Sequence, residues 1–146
     1  MPLITSFWLS KKEKKRVWLE PRVNKKEKTV TFEICSGKGE PPDPPKMGRG
    51  AKFRCVICGE PADDDAIHAE FQAKRDREKM IAIVADGPRG RTYLEADSSH
   101  SSTAESCQSR WKPSEEMNQN CTDLVSGRGY GIKFWHELFT NRQLAA

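Results

Sequence analysis

Two segments near the start of the chain alternate apolar and polar residues with a period of two. In residues 16–23 the alternate apolar positions are Val17, Leu19 and Val23. In residues 29–35 they are Val30, Phe32 and Ile34. This period is typical of half-buried antiparallel strands. Polar residues 24–28 separate the segments, and residues 4–9 also have strand character, so residues 1–35 are predicted to form a three-stranded meander.

The rest of the chain changes character several times. Residues 36–50 are rich in proline and glycine and predict a linker. Residues 51–95 predict a Cys-x-x-Cys turn, a helix and a β-hairpin. Residues 96–133 are polar and predict a loop-rich segment, and residues 134–146 predict a C-terminal helix. The resulting fold class is α+β, built from antiparallel hairpins and two helices.

Three of these elements have defined expected bounds. A central helix is predicted over residues 66–77, with the aspartates at 63–65 capping its start. The apolar residues 80–85 predict a buried strand, paired with residues 91–95 across a turn. The amphipathic pattern of residues 134–144 predicts one short helix.

The sequence Cys55-Val-Ile-Cys58-Gly59 is the clearest chemical motif. Two thiolates at this spacing can bind one tetrahedral zinc ion, which needs four ligands. Candidates for the remaining ligands are Cys35, His68, Cys107 and Cys121, with Cys35 and His68 preferred. A redox-active pair and two ordinary thiols in a turn are the alternatives.

Positive charge is concentrated in the first part of the chain. Residues 1–59 contain 14 Lys and Arg against 6 Asp and Glu, although the whole chain has a net charge of only +4. Such a surface could bind nucleic acid, and an exposed Trp18 could stack on a base. The predicted nucleic-acid-binding residues are Lys11, Lys12, Lys14, Lys15, Arg16, Trp18, Lys25, Lys26 and Lys28. The alternatives are a solvated lysine-rich surface and a Trp18 that covers the other face of the sheet.

Several blocks of sequence, taken in order, resemble the middle region of the zinc-ribbon adenine-specific DNA methylases. They are MPLITSFWLSKK at residues 1–12, VWLEP at 17–21, CVICGEP at 55–61, MIAIVADGPRGRTYL at 80–94, and YG followed by LFTNRQL within 130–144. The resemblance covers nearly the whole chain, and several blocks in one order are more specific than any single motif.

The resemblance implies a non-catalytic insert that aids DNA binding or organises its parent enzyme. It implies Cys55 and Cys58 as zinc ligands, with the other cysteine pair upstream, so that the chain starts inside the ribbon and ends where the methylase core resumes. The implied partners are DNA and the rest of the methylase. S-adenosylmethionine would bind only in the parent, near a segment similar to residues 139–143.

Catalytic motifs of an adenine methylase are not evident in this chain. Asp43-Pro44-Pro45 is followed by Lys46, which cannot stack on a flipped adenine as an aromatic residue would. The glycines at 127, 129 and 131 do not follow a predicted strand, as a nucleotide-binding loop requires. The chain also lacks an apolar run long enough to span a bilayer, and a cytoplasmic location is expected. The alternative function is a stand-alone protein-interaction module with a vestigial zinc knuckle.

Overall fold

The computed structural model describes residues 1–73, 78–88, 90–118 and 130–145 and confirms the α+β class. The strands are Trp8–Lys12 (β1), Lys15–Asn24 (β2), Thr29–Ser36 (β3), Phe53–Arg54 (β4), Pro61–Ala62 (β5), Ala82–Gly87 (β6) and Gly90–Glu95 (β7). The α-helices are Asp64–Gln72 (α1), Ser98–Ser106 (α2) and Asn141–Leu144 (α3), and a 3-10 helix spans Trp135–Leu138. None of the described helices is long and apolar enough to cross a membrane.

The chain divides into two compact units. The first contains residues 1–48, 53–61 and 80–96, and its strands form the meander and the β6–β7 hairpin. The second contains the described parts of residues 49–52, 62–79 and 97–146, and it carries the three α-helices. Each unit therefore draws on segments that are distant in the sequence.

The first three strands form the predicted meander, in the order β1-β2-β3 with antiparallel pairing. Val17 lies opposite Ser36, Leu19 opposite Ile34, and Pro21 opposite Phe32. Directly opposed residues share a face of the sheet. The apolar residues predicted for β2 and those predicted for β3 therefore lie on the same face. Strand β1 begins at Trp8, later than expected, and the β1–β2 turn contains only Glu13 and Lys14.

Both faces of β2 are covered at its centre. Val17, Trp18 and Leu19 are all buried, and Trp18 is only 7 % exposed. The Trp8 ring meets the Trp18 ring edge-on, with 6.0 Å between centroids. Gly39 lies so close to Trp18 that an added Cβ would be 2.7 Å from the ring. The expectation of an exposed Trp18 is therefore wrong, because the proline- and glycine-rich segment folds back over that face.

Helix α1 begins at Asp64, two residues before the predicted start, and one of the predicted aspartates caps it. The Asp63 carboxylate accepts a hydrogen bond from the Ala66 backbone N–H at 3.1 Å. Side-chain acceptors at this position satisfy backbone donors that the first turn leaves free. The helix ends at Gln72, before the predicted end at residue 77, and residues 74–77 lie outside the described part of the chain. Its buried side chain is Ile67.

The β6–β7 hairpin forms at the expected place, but its first strand is not buried. Val84 is 52 % exposed, and Leu94 on the partner strand is 48 % exposed. Among the described residues, strand β6 pairs only with β7, in a two-stranded sheet. A sheet of only two strands has few neighbouring residues that could cover both of its faces, so its apolar side chains can stay partly exposed. The predicted burial of residues 80–85 is wrong for this reason.

The predicted loop of residues 96–133 contains a helix, α2. The Asp97 carboxylate accepts hydrogen bonds from the His100 backbone N–H at 2.9 Å and the Ser99 hydroxyl at 2.7 Å. Further along, the Ser102 and Thr103 hydroxyls donate to carbonyl groups one turn earlier. This helix is serine-rich and has no buried residue, so an apolar pattern could not indicate it.

The predicted C-terminal helix over residues 134–144 is interrupted. The 3-10 helix ends at Leu138, and Phe139 is extended, with φ −125° and ψ 145°. Thr140 then caps α3: its hydroxyl accepts from the Gln143 N–H at 3.3 Å, while the Gln143 side chain accepts from the Thr140 N–H at 2.9 Å. This reciprocal capping favours a new helix start over continuation of the old one.

Candidate nucleic-acid and metal-binding sites

The predicted basic residues fall into two separate clusters on the meander. The first cluster surrounds the β1–β2 turn and consists of Lys11, Lys12, Lys14, Lys15 and Arg16. Lys11 lies opposite Arg16 in the ladder and Lys12 lies opposite Lys15. The four lysines are exposed and make no ion pair with any described residue, whereas Arg16 pairs with Glu40 at 3.4 Å.

The second cluster occupies the β2–β3 turn and consists of Lys25, Lys26 and Lys28. The Asn24 side-chain oxygen accepts from the Lys26 and Glu27 backbone N–H groups at 3.1 and 3.2 Å. These hydrogen bonds fix the turn and leave the lysine side chains exposed. At about 3.3 Å per residue, the length of β2 separates the two clusters by roughly 30 Å.

Other cations of the meander are already engaged by carboxylates. The Arg22 guanidinium donates two hydrogen bonds to Glu33, at 2.9 and 2.8 Å. These bonds hold the pKa of the Glu33 carboxyl below its ordinary value. Arg22 is thus less available for phosphate than the turn lysines. Trp18 does not belong to the candidate site either, because its ring is buried and presents no face on which a base could stack.

Sequence reasoning missed two cations that lie near the first cluster. Lys38 follows β3, and Arg91 lies in β7, and both line the same surface groove as Lys14 and Lys15. They come from segments that composition assigned to a linker and to a hairpin. Only the tertiary fold brings residues so far apart in sequence to one place, so no local pattern could have found them.

The second candidate site is the cysteine turn, residues 55–59, which joins β4 to β5. The Cys55 N–H donates to the Glu60 carbonyl at 2.8 Å, and the Gly59 N–H donates to the Cys55 carbonyl at 2.8 Å. Gly59 has φ +81°, a conformation that glycine adopts without strain. The spacing of the motif and its glycine therefore close a tight, hydrogen-bonded turn.

This turn also favours the ionised form of one thiol. The backbone N–H groups of Cys58 and Ile57 act as hydrogen-bond donors to Cys55 and hold the pKa of its thiol below its ordinary value. Zinc binds the thiolate form, so the arrangement suits a metal ligand. Cys58 is exposed and lies in the same turn, where both sulfurs could reach one ion.

The other predicted zinc ligands do not join this pair. Cys35 lies on β3 opposite Trp18, and His68 lies on α1 in the second unit. Cys107 caps the end of α2, and Cys121 lies outside the described residues. Among the described residues, no three His, Cys, Asp or Glu side chains form a group that could hold a metal ion. Of the predicted ligands, only Cys55 and Cys58 lie in one turn within the part of the chain that the structure describes.

No protein-family profile, no curated protein and no solved structure matches this chain. The turn lysines can bind phosphate through point charges, which gives affinity without sequence recognition. The cysteine turn can donate two thiolates to a zinc ion.

Proposed function

We propose that this chain is a non-catalytic, DNA-binding insert of an adenine-specific DNA methyltransferase. The resemblance of the sequence blocks suggests the parent enzyme. The observation that carries DNA binding is the set of seven exposed lysines at the two turns of the meander, which make no ion pair with a described residue. Lysines held on short turns and left unneutralised are suited to phosphate contacts.

The insert would contribute affinity and leave catalysis to the rest of the enzyme. Phosphate contacts position a protein on DNA but carry no sequence information. The parent would therefore supply recognition of the target adenine and the S-adenosylmethionine site. In this proposal the meander increases the residence of the parent on DNA.

A salt titration of DNA binding tests this proposal. Fluorescence anisotropy with a labelled duplex would compare the chain with a Lys11→Gln, Lys12→Gln, Lys14→Gln variant. Each lost phosphate contact should lower the slope of log K against log[salt] by about 1, so the triple variant should lose roughly 3. The matched control is Lys52→Gln, Lys112→Gln, Lys133→Gln, which removes the same charge from exposed lysines outside the meander. Equal effects in both variants would refute a site on the meander.

We further propose that Cys55 and Cys58 supply two of the four ligands of a zinc ion, and that the parent supplies the others. Elemental mass spectrometry of the purified, folded chain would test this. The half-site predicts less than stoichiometric zinc. One zinc per chain that is lost in Cys55→Ser would show instead that local residues complete the site.

A protein-interaction module is the second candidate, favoured by the exposed apolar side chains of the β6–β7 hairpin. Val84 is 52 % exposed and Leu94 is 48 % exposed, so each face of this hairpin presents one large apolar side chain to solvent. An apolar contact would be much less sensitive to salt than a phosphate contact. The same titration therefore separates the two functions.

A further inference from the structure

A groove of about 930 Å³ lies within the first unit, bordered by the β1–β2 turn and strand β7. Five basic side chains and two glutamates line it, an excess of three positive charges. The basic residues are Lys14, Lys15, Arg16, Lys38 and Arg91. Charges of one sign that line a cleft concentrate ions of the opposite sign inside it.

Specific contacts hold the walls of this groove together. The Tyr93 hydroxyl of β7 donates to the Leu9 carbonyl of β1 at 3.2 Å. The Lys15 ammonium lies 3.8 Å from the position that a Cβ on Gly90 would occupy, so it reaches the turn of the second hairpin. The hairpin is thus fixed against the meander, and Arg91 is brought to the side of Lys15.

Most of the positive charge in the groove is available to a ligand. Lys14, Lys15 and Lys38 make no ion pair with a described residue. Arg16 pairs with Glu40 at 3.4 Å and Arg91 pairs with Asp86 at 3.5 Å, but both carboxylates are largely exposed. Exposed ion pairs are weak, and a phosphate can replace the carboxylate at little cost.

The groove also offers apolar surface between these cations. Ile34 and the Tyr93 ring are half-buried in its wall. A duplex keeps its base faces stacked inside, so it could use the cations and not the apolar surface. A single strand exposes its base faces, which stack on aromatic side chains while cations follow the backbone.

We propose that the groove between the β1–β2 turn and β7 binds single-stranded nucleic acid, with phosphates on Lys14, Lys15, Lys38 and Arg91 and a base against the Tyr93 ring. This inference rests on the proposed DNA-binding function and specifies the form of nucleic acid that is bound. Within an adenine methylase, such a groove would hold a strand opened around the target base.

The test compares a labelled 16-nucleotide single strand with its duplex, using the full chain and fluorescence anisotropy over a salt series. The groove variant is Lys38→Gln, Arg91→Gln, and the control of equal charge is Lys112→Gln, Lys133→Gln, two exposed lysines outside the meander. The groove variant should weaken single-strand binding about tenfold and lower the salt slope by about 1.4. The control should stay within about twofold of the unmodified chain.

A second pair of variants tests the apolar contact separately. Tyr93→Leu removes the ring and should weaken single-strand binding about tenfold, with little effect on the duplex. Tyr93→Phe loses the hydrogen bond to Leu9 but keeps the ring, so it should retain single-strand affinity. Circular dichroism establishes that both variants are folded.

The outcomes distinguish the groove from DNA binding in general. If the chain binds DNA but the groove variant behaves like the control, or the duplex binds as tightly as the single strand, the groove proposal fails and the proposed function stands. If neither nucleic acid binds with a dependence on salt, both fail. Preference for the single strand together with loss in the groove variant supports the proposal.

Discussion

Replacement of Trp18 separates a structural role from a nucleic-acid-binding role. The side chain is 7 % exposed and packs against Trp8 and the backbone at Gly39. Loss of a buried tryptophan to alanine typically costs about 3–5 kcal/mol, because the cavity closes only in part. The edge-on contact between the Trp8 and Trp18 rings accounts for about 0.5–1.5 kcal/mol beyond the buried area. Trp18→Ala should therefore remove a large share of the free energy of unfolding.

Urea unfolding followed by circular dichroism measures this loss. With a urea dependence of about 1–3 kcal/mol per molar for small proteins, a 3 kcal/mol loss lowers the midpoint by roughly 1–3 M. Trp111→Ala is the matched control, since that side chain is 70 % exposed and its loss should leave the midpoint nearly unchanged. An unchanged midpoint in Trp18→Ala, combined with weaker DNA binding, would refute the burial argument and restore Trp18 as a base-stacking residue.

Two other local features give predictions of their own. Gly59→Ala places a side chain at φ +81° in open space, so the cost should be backbone strain alone, about 1–2 kcal/mol, and thermal unfolding should show it. The Asp97 carboxyl has a pKa of about 2, lowered by hydrogen bonds from the His100 N–H and the Ser99 hydroxyl. Because its folded-state pKa is depressed, its stabilisation of α2 is present above pH 4 and lost as the pH falls towards 2. Helical circular dichroism should decline over that range, and Asp97→Ala should abolish the change.

The sequence predicted best those elements whose signal is local. The alternation in residues 16–23 and 29–35 placed β2 and β3 within one residue of their observed ends. Asp63 likewise marked the start of α1, because a capping side chain acts within a few residues. The start of α3 also had a local signal, since Thr140 and Gln143 have the spacing of a capping box, which the prediction of one continuous helix overlooked.

The predictions that were wrong concern the burial of side chains, which depends on contacts with residues distant in the sequence. Alternation indicates two faces of a strand but not what covers each one. Trp18 was expected to be exposed, and it shares a strand face with the charged residues Arg16 and Glu20, yet Gly39, 21 positions later, lies against its ring. The prediction that residues 80–85 are buried was wrong because an apolar run does not show how many strands will lie beside it. The grouping of Lys38 with Arg91 likewise depends on how the second hairpin packs.

The dimensions of β2 limit how the two lysine clusters can act together. They lie roughly 30 Å apart, and phosphates follow one another about every 3.4 Å along each strand of a duplex. A single duplex could therefore reach both clusters only if it lay along β2 for about nine base pairs. A strand held in the groove beside the β1–β2 turn would reach the second cluster only by continuing along the meander. Because a 16-nucleotide probe is long enough to reach both clusters, the charge control for the groove has to lie outside the meander, as Lys112 and Lys133 do.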